Sequence, residues 1–318
     1  MYIRSSGATV EVLSPAKVNL YLAVRGKRDD GYHELDTFVM AIGLYDTLRF
    51  SARPERAIRL ACRWAWGEVA RAAASAWGRA EGRGGLAELE PIPEGEDNLV
   101  YRAAALVQAR AGLTRGAQIE LIKRIPAAAG LGGGSSDAAA TLLAANQAWG
   151  LGWSRTKLAE LGAELGSDVP FFLTGGPARC RGRGEQIEPA RLPAVPLVVV
   201  RPPCGLSTPA VFARCRPESQ PFPYQRWLAD AAQGKWQALG PLLRNDLAPA
   251  AAALSPWMPR VERALARQDL WGHAMTGSGS SWFGICRSAR QARRVAARLR
   301  AQGLGWALVA MSAPPVPS

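Results

Sequence analysis

The sequence predicts an α+β protein of two domains, and three observations carry the prediction. At 318 residues the chain is long enough for two cores of ordinary size. Its first fifty residues read as successive apolar, alternating runs, the pattern of a meander, whereas residues 98–165 carry helical periodicity around one glycine-rich turn. A third texture begins near 185–195, where Pro189, Pro193 and Pro196 punctuate the chain, and it closes on a strand–helix–strand ending that fits a small α+β domain. The division expected from these shifts is 1–188, then 189–311, then a Pro/Ser-rich disordered tail, 312–318.

Taken in order, residues 8–13 alternate as a strand and residues 20–24 are extended, with Pro15 marking a bulge or break between them. Arg25 to His33 is a polar loop, and 38–44 and 47–50 are further strand-compatible runs. Residues 52–93, with Trp64, Trp66 and Trp77, fit a strand followed by an insertion helix and a glycine-rich loop (Gly82, Gly84, Gly85); the tryptophans are expected to pack rather than to bind a ligand. Glu96, Asp97 and Asn98 cap a helix over 98–111, with Leu99, Ala103, Leu106 and Val107 on one face. A strand over 118–122 and a helix over 138–149 flank the glycine-rich turn, and a helix over 154–165 starts at Ser154 and stops at Gly166. The second half is expected to hold a strand at 197–200, helices at 209–214, 224–232, 235–244 and 257–268, a strand at 282–286, a strongly basic helix at 288–301 and a last strand at 306–311.

Composition narrows the function classes. The net charge is +13, with 39 lysines and arginines of which five are lysines. Such a balance favours anionic partners such as nucleotides or phosphorylated metabolites. No dense basic block interleaved with aromatics appears, so nucleic acid is not expected. The five cysteines are scattered without a C-x-x-C pair, which indicates neither a disulfide framework nor a zinc site and fits a reducing cytoplasm. His33 and His273 are the only histidines, so a histidine-rich metal site is excluded. No signal-peptide pattern opens the sequence, and the apolar stretch near 194–200 is far too short to span a membrane.

The stretch from Pro126 to Asp137 carries the chemistry. Gly130, Gly132, Gly133 and Gly134 remove nearly every Cβ from one turn, so the backbone can approach a ligand closely. Ser135, Ser136 and Asp137 form an N-cap signature ahead of the alanine-rich helix. Strand, glycine loop and helix N-terminus together make an anion site, phosphate being the usual anion; the alternative is a tight connection only. The loop is not a Walker A sequence, and Ser135 occupies the third glycine position of the dinucleotide fingerprint. Phosphoryl transfer further asks for a base, a cation and an acceptor pocket. Asp168, after a helix stop and before Val-Pro-Phe-Phe, is the best base candidate, the alternative being a cap or turn. Lys17 stands at a strand break in an apolar frame, where a lysine calls for an anionic partner. Residues 275–281 form a second small-residue loop.

Three segments, Pro15 through Leu20, Pro126 through Asp137 and Met275 through Gly284, resemble the ordered motifs of the GHMP small-molecule kinases, over most of the chain. Asp30-Gly-Tyr-His33 and Gly166-Ser-Asp-Val-Pro-Phe-Phe172 resemble, within that superfamily, the 4-diphosphocytidyl-2-C-methyl-D-erythritol kinases. The resemblance implies a ribosomal-protein-like N-terminal domain, a ferredoxin-like C-terminal domain, ATP with Mg²⁺, and phosphorylation of the 2-hydroxyl of a cytidine-diphosphate-linked methylerythritol on the route to isoprenoid precursors. It implies roles too. Asp168 would take the hydroxyl proton and Lys17 would pair with it. Gly130, Leu131, Gly132, Gly133, Gly134, Ser135 and Ser136 would cradle the β- and γ-phosphates. Asn98 and Lys123 would lie near the adenine, although a helix cap is a sufficient local account of Asn98. Tyr32 would stack on the cytosine, His33 would hydrogen-bond its edge, and Phe212, following Thr208, would be the second stacking face or else a core residue. Asn19 would line the acceptor site, and Thr276 and Gly277 would close it near the acceptor phosphates. No carboxylate cluster identifies ligands for Mg²⁺. The expected partner is a small molecule with a cytidine diphosphate group, with no nucleic acid and no membrane, on a monomer or homodimer. The alternatives are a kinase of the same superfamily for homoserine or mevalonate, which carry no base to sandwich, and a non-catalytic nucleotide- or RNA-binding protein, which needs neither Lys17 nor Asp168.

Overall fold

The computed structural model describes residues 1–65, 92–217 and 222–312. The expected insertion helix and its glycine-rich loop, together with residues 313–318 of the expected tail, lie outside the described residues.

The first sheet is built on two long strands. β1 (Tyr2–Ser6), β2 (Thr9–Lys27) and β3 (His33–Arg53) form an antiparallel meander, and β4 (Ile58–Trp64) and β5 (Gly116–Lys123) extend it in the order β1-β2-β3-β5-β4. β6 (Ala178–Gly182) pairs with the other end of β3, and β7 (Gln186–Pro189) pairs with β6. The separate runs expected in the first fifty residues therefore fuse into two strands of 19 and 21 residues. Strands of that length stay in register only by bending, and β2 shifts register against β3 at Pro15/Ala16, Asn19/Tyr21 and Val24/Gly26. The first two shifts bracket Lys17 and Asn19, so the irregularity that Pro15 announces re-aims the segment that carries the candidate lysine.

Among the described residues, four helices cover one face of this sheet: α1 (Leu99–Arg110), α2 (Gly133–Ala148), α3 (Arg155–Leu165) and α4 (Val169–Thr174). Their core packs Phe50, Ile119, Leu121, Val107, Leu161 and Trp149. The side chain of Asn98 caps α1 by accepting from the Val100 amide at 2.9 Å, and Ser154 caps α3 through the Lys157 amide. α2 departs from expectation. Its cap is Gly132, with φ at +69°, so Ser135, Ser136 and Asp137 stand inside the helix rather than ahead of it. The left-handed glycine turns the chain directly into the helix, which leaves these side chains free for other work.

The second sheet contains β8 (Pro196–Arg201), β10 (Gly272–Met275), β11 (Trp282–Ile285) and β12 (Trp306–Met311), with β9 (Arg244–Asn245) returning to the first sheet. Its order, β10-β11-β8-β12, is antiparallel throughout and is that of a ferredoxin-like domain. Between β8 and β10 lie α5 (Thr208–Phe212), α6 (Tyr224–Ala232), α7 (Trp236–Leu239), α8 (Ala248–Leu254) and α9 (Trp257–Ala266), and α10 (Ala289–Ala301) connects β11 to β12. The helix expected over 235–244 is one turn and a 3₁₀ segment that ends as β9, since Pro241 brings no amide to continue it. α8 and β10 are additions to the expected elements.

A middle core joins the two sheets: Val18, Leu20, Tyr21, Phe38 and Met40 meet Leu197, Val199, Phe283 and Trp227. β2 is thus buried on both faces from Ser14 to Val24. Ser312, expected in a disordered tail, is buried and bridges to Ile42, because its amide and hydroxyl both bond the backbone of Val195. No described helix is long and apolar enough to cross a membrane.

Candidate active site

The glycine loop is held from two sides. On one side the Lys17 amide donates to the Leu131 carbonyl at 2.9 Å, and a Cβ on Gly132 would stand 2.9 Å from the Lys17 side chain. On the other, Gly130 (φ +72°) lies so close to the 275–281 turn that a Cβ there would run into the Thr276 carbonyl, and the Ser281 amide donates to Ala129 at 3.2 Å. Pinned in this way, the loop presents the first turn of α2, whose leading amides have no acceptor within the helix. The positive end of the helix dipole lies there as well. The buried Ser136 hydroxyl has no hydrogen-bond partner among the described residues.

Lys17 and Asp168 come together at the edge of this loop, with Nζ 3.8 Å from Oδ2. Lys17 is buried while the Asp168 side chain is 47 % exposed. Asp168 directly precedes α4, yet its side chain makes no cap hydrogen bond. The capping alternative therefore leaves its carboxylate unexplained, and that carboxylate opens to solvent beside a fixed ammonium. Lys17 Nζ also donates to Asn19 Oδ1 at 2.7 Å. The same oxygen accepts from the Gly277 amide at 2.9 Å and the Thr276 hydroxyl at 3.1 Å, and Asn19 Nδ2 donates to Thr37. Asn19 is in this way a hub between β2, β3 and the 275–281 turn. The Thr276 side chain is wholly buried between Asn19 and Gly130, so it faces inward. Thr208 and Ser278 share a hydrogen bond of 2.7 Å between their hydroxyls.

Of the three residues expected around the cytosine, His33 and Phe212 come together. The rings of His33 and Phe212 lie 5.0 Å apart at 35°, and Phe212 also packs against a third core that includes Val200, Met258 and Leu299. Burial, followed by the nearby Lys27, lowers the pKa of His33, which favours its neutral ring. Tyr32 is exposed, with the Arg183 guanidinium 4.8 Å above its ring. Its loop is fastened by Asp30, which accepts from the Tyr32 amide and pairs with Arg28.

The residues expected near the adenine have internal partners. Asn98 spends its amide on the carbonyl of Pro93 at 2.6 Å as well as capping α1. Lys123, expected near the ligand, points under the loop. Its Nζ pairs with Asp137 at 2.6 Å and with Asp46, and it would lie 3.2 Å from a Cβ on Gly133. Asp137 further accepts from Ser14 at 2.7 Å. Burial alone would lower the Lys123 ammonium, but the attraction of Asp137 and Asp46 more than offsets it and raises its pKa. Burial pushes Asp137 up to about 7 despite Lys123, with Asp46 adding to the rise.

Three contributors are absent from the sequence-level expectation. Asp46 interrupts an apolar strand run, a signal that was available. Asn245 and Arg183 carry no local signal, because their partners are distant in sequence. Among the described residues, no group of three His, Cys, Asp or Glu side chains is placed to hold a metal ion.

Residues 98–176 match the family described as GHMP kinases N terminal domain, and residues 227–304 match GHMP kinases C terminal. The chain is 40% identical over 296 residues to the 4-diphosphocytidyl-2-C-methyl-D-erythritol kinase of Pelotomaculum thermopropionicum, covering 92% of this chain and 94% of that one. It is 39% identical to the protein of the same name from Thermus thermophilus, covering 94% and 95%. A crystal structure of 4-(cytidine 5'-diphospho)-2C-methyl-D-erythritol kinase superposes with a TM-score of 0.74 at 37% identity, covering 95% of this chain and 99% of that one. A homoserine kinase from Cytophaga hutchinsonii superposes with a TM-score of 0.71 at 19% identity, a likeness of fold alone.

Proposed function

The chain belongs to the 4-diphosphocytidyl-2-C-methyl-D-erythritol kinases of the GHMP superfamily, and from that premise we propose that it transfers the γ-phosphoryl group of ATP to the 2-hydroxyl of 4-diphosphocytidyl-2-C-methyl-D-erythritol. The observation that carries the reading is the open Asp168 carboxylate held 3.8 Å from the buried Lys17 ammonium, at a loop to which Lys17 is itself bonded.

In the proposed step the acceptor oxygen bonds to the γ-phosphorus as the bond to the β,γ-bridging oxygen breaks, and ADP leaves. The hydroxyl proton passes to Asp168. An alcohol is too weak an acid to be deprotonated in advance, but in a loose transition state the proton leaves late, so a positioned carboxylate suffices. Lys17 offsets the charge that gathers on the transferring oxygens. The amides of 130–136 receive the phosphates. Mg²⁺, arriving with ATP, would neutralise phosphate charge. The Ser136 hydroxyl, which has no hydrogen-bond partner among the described residues, would suit a phosphate oxygen or that ion, since Mg²⁺ keeps most of its ligands from phosphates and water. Tyr32, His33, Phe212 and the unforeseen Arg183 offer flat and hydrogen-bonding groups for the cytosine, each stacked ring being worth roughly 1–3 kcal/mol. The same reading takes residues 1–188 as the ATP-binding unit, residues 189–311 as the second unit, and the cytoplasm as the place of action, in keeping with five free cysteines.

The test is ADP release by the purified protein with Mg·ATP and, in parallel, diphosphocytidyl methylerythritol, homoserine, mevalonate or no acceptor. Turnover confined to the cytidine-linked compound is expected. Turnover with another alcohol instead would discard the cytosine site.

A further inference from the structure

We propose that Asn245 is a positioning residue for Lys17, acting through the 275–277 turn and Asn19; the inference rests on the kinase reading above. Asn245 lies on β9, the two-residue strand that leaves the second half of the chain to pair in parallel with β2, with Arg244 opposite Tyr21 and Asn245 opposite Leu22. Its side chain is buried and fully used. Nδ2 donates to the carbonyls of Met275 at 2.8 Å and Gly277 at 2.9 Å, and Oδ1 accepts from the Leu247 amide at 2.9 Å. The two carbonyl bonds grip the turn from one side. From the other side the turn offers the Gly277 amide and the Thr276 hydroxyl to Asn19 Oδ1, and the Asn19 amide donates back to Thr276 Oγ1 at 3.1 Å.

Asn19 Oδ1 is also the acceptor of the Lys17 ammonium. A lysine head is a compact charge on a flexible four-carbon stem, so it holds one place only if an acceptor is fixed in space. Asp168 is not such an acceptor, being half exposed and 3.8 Å away. Asn19 is, provided the turn keeps its two donors in place. At Gly277, whose φ is +55°, the turn has no side chain with which to anchor itself. Asn245 supplies the anchor without lying among the groups expected to touch substrate.

The test variant is Asn245→Ser. Its hydroxyl can still accept from the Leu247 amide, as serine does in an i to i+2 turn, but it is too short to reach both carbonyls. With Mg·ATP and diphosphocytidyl methylerythritol, kcat is expected to fall about 10–100-fold while KM for ATP stays within about twofold, as for misplacement of a reacting group. In a Lys17→Ala background the same change should cost less than about twofold, because residues acting through one group are not additive. A second readout needs no turnover. Reductive methylation followed by peptide mass spectrometry should show Lys17 reacting about fivefold faster in Asn245→Ser, in keeping with a locally opened site, while Lys123 stays protected and the exposed Lys235 is unchanged. Thr276→Val, which removes one of the turn's two donors to Asn19, should raise Lys17 reactivity in the same way if Asn245→Ser folds poorly. An unchanged Lys17 rate, or equal losses of kcat in both backgrounds, overturns the proposal. So does a parallel rise at Lys123, which marks general loosening. If the unaltered chain shows no turnover yet Lys17 is released by Asn245→Ser, the substrate reading fails and the positioning role stands.

Discussion

Lys17 and Lys123 both pair with aspartate beside the same glycine loop, and the two pairs are built for opposite ends. Lys123 is sealed beneath the loop between Asp46 and Asp137, both wholly buried, with the Ser14 hydroxyl and the amides of Arg124 and Ile125 completing the carboxylates' hydrogen bonds. Lys17 is equally buried, but its aspartate opens to solvent and keeps a longer separation of 3.8 Å. A closed pair gives every carboxylate oxygen a donor inside the protein and fastens β2, β3, β5 and α2 to one another. An open pair leaves a carboxylate free to meet something that arrives. The lesson is that burial of the lysine does not separate chemistry from architecture, whereas exposure of its partner does.

The comparison can be broken most directly at Asp168. Replacing it with Asn should reduce turnover by about 10²–10⁴-fold, the usual worth of a positioned general base, while ATP affinity changes little. Stability should move by less than about 1 kcal/mol, since the pair it leaves is partly exposed. Lys17→Met should lower turnover by about 10²–10³-fold, as for loss of one transition-state donor. Equilibrium unfolding alongside initial rates reads both quantities; a large stability loss with matching loss of ATP binding would make the open pair architectural. Lys123→Met should show the reverse. It leaves two buried carboxylates without their cation and should cost about 3–5 kcal/mol, seen as a lower denaturant midpoint. Full stability in that variant would remove the distinction between the pairs.

Asp137→Asn sharpens the comparison with the smallest effect. The folded-state pKa of Asp137 is raised from 3.8 to about 7. The folded protein therefore binds a proton at Asp137 that the unfolded chain has already lost, and this contribution to stability is present below about pH 4 and lost as the pH rises to about 7. Asparagine can accept from Lys123 and donate to Ser14 without titrating. Relative to the variant, the unaltered protein should be more stable at about pH 4.5 than at about pH 8. Parallel stability profiles for the two would show that Asp137 stays ionised beside Lys123.

Much of this could be read along the chain. The glycine loop, the helix that follows it, the caps at Asn98 and Ser154, the Pro15 irregularity and the pairing of Lys17 with an anion all follow from contiguous residues, because glycine freedom, capping and helical periodicity are local properties. Other features depended on distant partners. The start of α2 at Gly132 rather than at the serines was decided by a backbone squeezed between Lys17 and the 275–281 turn. The fate of Lys123 was decided by Asp46, 77 positions away, and that of Asn19 by Gly277, 258 positions away. Residue types alone thus pointed to a phosphate loop with a lysine and an aspartate to serve it. Which lysine stands beside the open aspartate and which is locked beneath the loop was settled by packing, since a buried charge goes wherever the assembled elements offer it a partner, and no local pattern records that partner's address.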